Sequence, residues 1–314
     1  MKKRILIAVL AVIITALPIF IVKTPEKQHA VLTGELGTVS ELTLYGRNSS
    51  LMRCSEYIKK ADALFSVTNP ESEISRINNG EDITPAPDTA EVLALAAEYA
   101  DAEIFNPFAG ALFDLWSNAI KTETLPDKKA VTQAKNSAPK INLGAIAKGY
   151  ITNKLADILR EENVKSALIN LGGNIYAHGE RPNGTPWQIA VRSPESVDEY
   201  IGIIAATDTA VVTSGDYEQV FESGGKRYHH IIDPKTGYPA NSGLRSVTVI
   251  TPDAALADIL STKCFVLGFE ESKSVLKEHN VWGIFVTNDG KVFFSEELAE
   301  IFSYDNPDYA YEPF

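Results

Sequence analysis

Asp258 and Thr262 stand four residues apart in a helical pattern, so a carboxylate and a hydroxyl project from one helix face. Such an oxygen pair could hold a hard cation such as Mg²⁺. Two further polar clusters precede it. Thr213-Ser214-Gly215-Asp216-Tyr217 follows an apolar run, and the stretch from His229 to Gly237 carries two imidazoles into the turn Asp233-Pro234-Lys235-Thr236-Gly237. Successive strand residues face opposite ways, so only one of His229 and His230 can face a pocket. Gly144 lies just before an amphipathic helix, where free backbone N–H groups can face a phosphate. Gly172-Gly173-Asn174 follows a strand and permits positive φ and close approach of a ligand. Each feature alone has a plainer reading: a solvated helix face, a structural histidine, a hairpin turn. Together they offer amide donors, a cation site and a base, which is the set that phosphoryl or nucleotidyl chemistry needs. Neither a P-loop nor a G-x-G-x-x-G fingerprint occurs, so a nucleotide would be held in another way.

The elements that must position these groups follow from periodicity. Leu51, Cys54, Ile58, Ala61 and Phe65 mark a helix over 49–65. Asp88 and Glu91 resemble a capping box opening a helix through Tyr99. Helices are also expected over 107–120, from Gly144 to about Glu162, and over 254–267. Residues 31–45 read as one or two strands with a turn. Strands are expected at 165–171, 187–192, 201–206, from Val211 onward, 226–232, 244–251 and 281–287, the last forming a hairpin with 291–295 about Asn288-Asp289-Gly290. Helices and strands mix without strict alternation, so the expected class is α+β.

The chain has 314 residues, a hydrophobic fraction of 45% and a net charge of −12 from 41 acidic and 29 basic residues. That balance argues against nucleic acid as a partner but leaves room for a small anion held by amides and a cation. The two cysteines, Cys54 and Cys264, sit in apolar helical patterns and read as buried small hydrophobes. Met1-Lys2-Lys3-Arg4 precedes an uncharged apolar run, Ile5 to Val22. A basic end before such a run marks an export signal or membrane anchor. The expectation is an anchor helix over 1–22, a linker over 23–30, one domain over 31–302 outside the cytoplasm, and an acidic, aromatic tail over 303–314. A cleaved signal is the alternative.

Six ordered motifs resemble one family. They are Ser72–Asn78, Asn142–Tyr150, Asn170–Asn174, Thr213–Tyr217, the run His230–Gly237, and Asp258 with Thr262. Their order and content are similar to the ApbE family of FAD:protein FMN transferases. The resemblance implies an extracytoplasmic, Mg²⁺-dependent enzyme that uses FAD as substrate, in keeping with the anchor read from the N-terminus. Such an enzyme moves FMN from FAD onto a threonine hydroxyl of a partner protein, typically an electron-transfer subunit, and releases AMP. It further implies that Asp258, Thr262 and the Ala145 carbonyl hold the metal, and that Lys148, Asn174, Ser214, Gly215 and Asp216 belong to the FAD pocket. His230 then stands as the catalytic histidine, with Asp233 as a supporting polar group.

The base is a choice between His230 and Asp258. A carboxylate loses basicity when it ligates a cation, whereas an unperturbed imidazole with a pKa of about 6.5 suits neutral pH. Two positions depart from the family pattern: Leu36 stands where a methionine is usual, and Thr68 where an aromatic residue is common. Weaker contact there bears on FAD affinity and on access of water. Two other outcomes follow from the same residues: FAD pyrophosphatase activity giving FMN and AMP, and a membrane-anchored flavin-binding protein without catalysis.

Overall fold

The computed structural model describes residues 26–314. The expected anchor at 1–22 lies outside them, and among the described residues no helix is long and apolar enough to cross a membrane. The second half of the expected linker is already sheet. β1 (Lys27–Thr33) pairs antiparallel with β2 (Val39–Tyr45), joined through one 3₁₀ turn at Glu35–Gly37. Helix α1 (Asn48–Phe65) buries Leu51, Cys54, Ile58, Ala61 and Phe65, the positions that its periodicity marks. Short α2 (Glu73–Asn78) is capped by Ser72, whose Oγ accepts from the Ser75 N–H at 3.0 Å.

Helix α3 (Pro87–Tyr99) starts earlier than the expected capping box, with Pro87 in its first turn. Proline fits there because that N–H has no intrahelical partner. Asp88 therefore lies inside the helix and pairs with Lys60 at 2.7 Å instead of capping. Next come α4 (Gly110–Thr122), α5 (Lys128–Lys135) and α6 (Ala147–Glu161). The strands that follow are β3 (Ser166–Leu171), β4 (Asn174–Gly179), β5 (Trp187–Arg192), β6 (Tyr200–Ala206) and β7 (Thr209–Gly215). A hairpin of β8 (Val220–Ser223) and β9 (Lys226–His229) leads to β10 (Leu244–Thr251), α7 (Ala254–Leu267) and α8 (Phe269–His279). The chain closes with β11 (Trp282–Thr287), β12 (Lys291–Phe294), β13 (Phe302–Ser303) and β14 (Ala310–Pro313).

Among the described residues the main sheet has nine strands in the order β1-β2-β3-β4-β7-β10-β11-β12-β14. Its pairs are antiparallel except β12 with β14. This is the mixed α+β class expected. The stretch set apart as a tail thus supplies an edge strand, and Phe314 packs edge-on to Phe269 at 5.2 Å.

The central strands are buried on both faces, and their alternation separates two cores. Val212, Val249 and Phe285 point toward the helices, while Val211, Ile250 and Ile284 point to the small sheet β13-β6-β5. Helix α7 is buried almost all round and packs against α6, β7 and β10. Its approach to α6 is so close that a Cβ on Gly149 would stand 2.3 Å from the Ala254 carbonyl oxygen. A third cluster joins α4 and α5 to the β8–β9 hairpin through Leu112, Trp116, Val131, Phe221 and Ile232. The helical side of the main sheet and the α4 and β8–β9 cluster leave a cavity between them.

Candidate active site

The C-terminal end of β7, the first turn of α6 and the middle of α7 meet at this cavity, whose volume is about 430 Å³. That size is within the usual range of small-molecule pockets. Asp258 and Thr262 both line it, one helical turn apart as their spacing requires. Asp258 is buried, at 4% exposure. Its Oδ2 accepts from the Gly149 N–H at 2.9 Å, and its Oδ1 lies 3.4 Å from Lys148 Nζ. Lys148 Nζ also donates to the Gly144 carbonyl at 2.9 Å. The glycine at 149 thus has two uses. It lets the helices touch, and its free N–H near the start of α6 holds a carboxylate oxygen.

Ser214, near the end of β7, has its Oγ 2.9 Å from Ser261 Oγ and 3.2 Å from Thr262 Oγ1. Asn174 opens β4 after the turn at Gly172 and Gly173, whose φ values are +57° and +88°. Asn174 is 1% exposed; Thr152 Oγ1 reaches its Oδ1 at a long 3.5 Å, and its Nδ2 has no hydrogen-bond partner. A buried amide that lacks an acceptor carries a desolvation cost, and an acceptor from a bound ligand would relieve it.

The two imidazoles divide as strand alternation requires. His229 Nδ1 accepts from the Ile231 N–H at 3.2 Å, so its Nε2 donates to the Ala240 carbonyl at 3.0 Å. It is a structural histidine with both nitrogens used. His230 lines the cavity, just beyond the end of β9, which stops three residues short of the expected strand. Its Nδ1 is buried without a partner. Burial, then the neighbouring His229 and Lys148, push the His230 pKa down to about 4, against a smaller opposing effect of a backbone hydrogen bond at Gln219. The expectation of an unperturbed value therefore fails. The imidazole is neutral across the physiological range and a weaker base than free histidine.

Ala145, Lys148, Asn174, Ser214, Gly215, His230, Asp258 and Thr262 all line this one cavity. Asp216 and Asp233 do not. Asp216 points away into an ion cluster, with Arg245 Nε at 2.9 Å and Arg227 Nη1 at 3.0 Å. It ties β9 and β10 to the turn after β7. Asp233 Oδ1 accepts from the Lys235 N–H at 2.8 Å and caps its own turn. A short polar side chain next to a Pro/Gly turn bonds locally by preference, and this accounts for Asp233.

Other lining residues escape a reading of motifs. Phe113 and Ser117 on α4 and Asn106 before it form one wall. Asp62 on α1 accepts from the Leu36 N–H at 2.8 Å. Leu36 is held at φ 56°, a left-handed conformation uncommon for a branched side chain. Outside the lining, the Asn78 amide bonds the Ile141 backbone in both directions, at 2.7 and 2.9 Å. That double bond gives the Ser72–Asn78 motif a physical role, since it fixes the segment entering Asn142. The resemblance points to Leu36 and to the Ser72–Asn78 segment, whereas Asp62, Asn106, Phe113 and Ser117 have no sequence signal.

The donor chemistry fits a hard cation. Asp258 would supply one buried carboxylate, Thr262 a hydroxyl and Ala145 a backbone carbonyl, all three residues lining the cavity. Among the described residues no cluster of three or more His, Cys, Asp and Glu is placed to hold a metal. A cation here would therefore take further oxygens from a bound substrate or water, as Mg²⁺ at phosphate sites does.

The sequence model of the ApbE family matches residues 36–285. The chain is 34% identical over 296 residues to the FAD:protein FMN transferase of Klebsiella pneumoniae (strain 342), covering 85% of this chain and 92% of that one. It is 30% identical over 311 residues to the FAD:protein FMN transferase of Treponema pallidum (strain Nichols), covering 84% and 86%. The crystal structure of the ApbE protein from Thermotoga maritima superposes with a TM-score of 0.79 at 29% identity, covering 88% of this chain and 99% of that one. The flavin transferase ApbE from Vibrio cholerae shares the fold, with a TM-score of 0.76 at 24% identity over 88% of this chain and all of that chain (100%).

Proposed function

Since this chain belongs to the ApbE family and is an FAD:protein FMN transferase, we propose that its reaction is Mg²⁺-dependent and that the acceptor is a threonine hydroxyl on a partner protein. The bond formed joins the threonine Oγ to the FMN phosphorus. The bond broken is the pyrophosphate P–O bond, with its electron pair leaving on AMP. The threonine proton passes to a base of the site. When bound, Mg²⁺ neutralises charge on the pyrophosphate and on the departing AMP.

The chain's own residues supply the rest. Asp258, Thr262 and the Ala145 carbonyl hold the cation. Asn174 Nδ2 and the polar groups at Ser214 and Gly215 bind and orient FAD. His230 takes the proton. The observation that carries this assignment is that His230 lines the same cavity as the Asp258/Thr262 pair and that its Nδ1 has no protein partner. Asp258 is less suited as the base, because its Oδ2 already accepts from the Gly149 N–H at 2.9 Å and a cation would withdraw its remaining basicity. An entering pyrophosphate, being anionic, opposes the effect of Lys148 and raises the basicity of His230 during turnover.

A non-catalytic flavin carrier does not stand, since the relatives are transferases. Placement outside the cytoplasm, and an electron-transfer subunit as acceptor, are further parts of this proposal. They rest on the basic-apolar N-terminus and on the resemblance. The test is incubation of the protein with FAD, with and without Mg²⁺ and a threonine-bearing acceptor, followed by in-gel flavin fluorescence. Labelling of the acceptor only in the presence of Mg²⁺ is expected. Labelling that survives complete chelation of divalent ions contradicts the metal assignment.

A further inference from the structure

Asp258 Oδ2 has a backbone N–H at 2.9 Å, whereas Oδ1 faces the Lys148 ammonium at 3.4 Å. A carboxylate with only 4% exposure is costly unless its charge is met. Lys148 therefore neutralises it from within the chain. The same ammonium bonds the Gly144 carbonyl at 2.9 Å. It thus bridges the entrance to α6, where Gly144 precedes Ala145 in sequence, and the Asp258 carboxylate assigned to the cation.

The geometry points to Lys148 as a built-in counter-ion that yields Asp258 to an arriving divalent cation and turns to the pyrophosphate of FAD. This rests on the reading of Asp258 as a metal ligand. A monovalent ammonium and a divalent ion cannot both stand within bonding distance of Oδ1 without strong like-charge repulsion. Lysine suits the exchange: it is a point charge on a flexible four-carbon stem, with three rotatable donors. Its side chain is a quarter exposed and lines the cavity, so the ammonium can move without leaving the site.

Two consequences follow. The site never presents a bare buried carboxylate to an incoming dianionic pyrophosphate. And metal and FAD favour one another, because the metal frees the cation that the phosphate then uses. By linkage the effect is reciprocal.

The test uses Mn²⁺ as probe, in the absence of flavin, on the full-length protein. Mn²⁺ binding is followed by electron paramagnetic resonance for the wild type and for Lys148→Met, Lys148→Arg and Asp258→Asn, each checked for an unchanged thermal transition. Lys148→Met removes the competing charge and is expected to bind Mn²⁺ at least ~10-fold more tightly. Lys148→Arg keeps the charge and is expected to stay near wild type. Asp258→Asn is expected to lose binding. Equal or weaker binding by Lys148→Met, with Asp258→Asn still inactive in binding, overturns the exchange while leaving the metal assignment in place. Absence of Mn²⁺ binding in both wild type and Lys148→Met overturns the metal assignment and the exchange together.

Discussion

A half-buried imidazole whose Nδ1 is buried and unused changes what pH should do to the reaction. His230 is neutral above a pKa of about 4, so a base with that value is present at higher pH and lost as pH falls through it. The acid limb of kcat/KM is therefore expected below pH 6.5, the region of a free histidine. Bound FAD brings negative charge close by, so the limb of kcat should lie higher than that of kcat/KM. Rate profiles at low and at saturating FAD check this; a kcat/KM limb at the free-histidine value would contradict the burial argument. Replacement of His230 by Asn is expected to lower kcat about 10²–10⁴-fold, the usual contribution of a positioned general base. Asp258→Ala should abolish turnover, measured as AMP release. At this scale the sequence was informative about residue type and poor about environment. The i,i+4 spacing of Asp258 and Thr262 fixed a shared face, and alternation separated His229 from His230. Neither burial nor the Arg245 and Arg227 partners of Asp216 could be read, because those contacts come from elements remote in sequence.

At the scale of elements, the site depends on how close two helices come and on how one hairpin is pinned. A methyl on Gly149 would press on the Ala254 backbone at 2.3 Å, and backbone cannot turn aside as a side chain can. Gly149→Ala is expected to cost about 1–3 kcal/mol of stability, the usual range for overpacking. It should also weaken Mn²⁺ binding, since the Gly149 N–H orients Asp258; denaturant unfolding and a metal titration measure the two effects. Trp116 pins the segment bearing His230 from both sides. Its ring stacks on Tyr228 with centroids 5.8 Å apart, and its Nε1 donates to the Gly237 carbonyl at 2.8 Å. Trp116→Phe retains an apolar ring but removes the donor. Its expected cost is about 1 kcal/mol, seen in the urea midpoint, with a fall in kcat larger than any change in KM. Helices α1 and α7 were legible from their periods. The start of α3 was not, because Pro87 competes with Asp88 for the helix entrance. Strand β14 was hidden because it has only four residues, largely exposed along their length, and is defined by the β12 backbone beside it.

For the molecule as a whole, three imidazoles are folded into places that disfavour their charged forms. Burial is the largest cause for His178, His229 and His230 alike. The unfolded chain binds protons at these positions near pH 6.5, whereas the folded chain does not until lower pH. Their contribution to stability is therefore complete above that pH and declines as pH falls toward the folded values. For His230 alone the loss at pH 5 is about 2 kcal/mol. Urea unfolding at pH 5 and pH 7.5 should show a lower midpoint at the acid value, and no difference would contradict the burial of these rings. The α+β class was legible from mixed periodicities. The order of the nine strands was not, since β4 meets β7 and β3 meets β2 across long sequence separations. The acceptor lies on another chain, so its identity is written in neither the sequence nor the fold.

The central claim is that FMN passes to a protein hydroxyl and not to water. Its most direct test is the ratio of flavin bound to acceptor to AMP released, measured over single and multiple turnovers with FAD, Mg²⁺ and an acceptor whose threonine is either intact or replaced by valine. Transfer predicts one covalently bound flavin per AMP, located at the threonine by mass spectrometry, and no label on the valine variant. Release of AMP with an equal amount of free FMN, and an unlabelled acceptor, would contradict it.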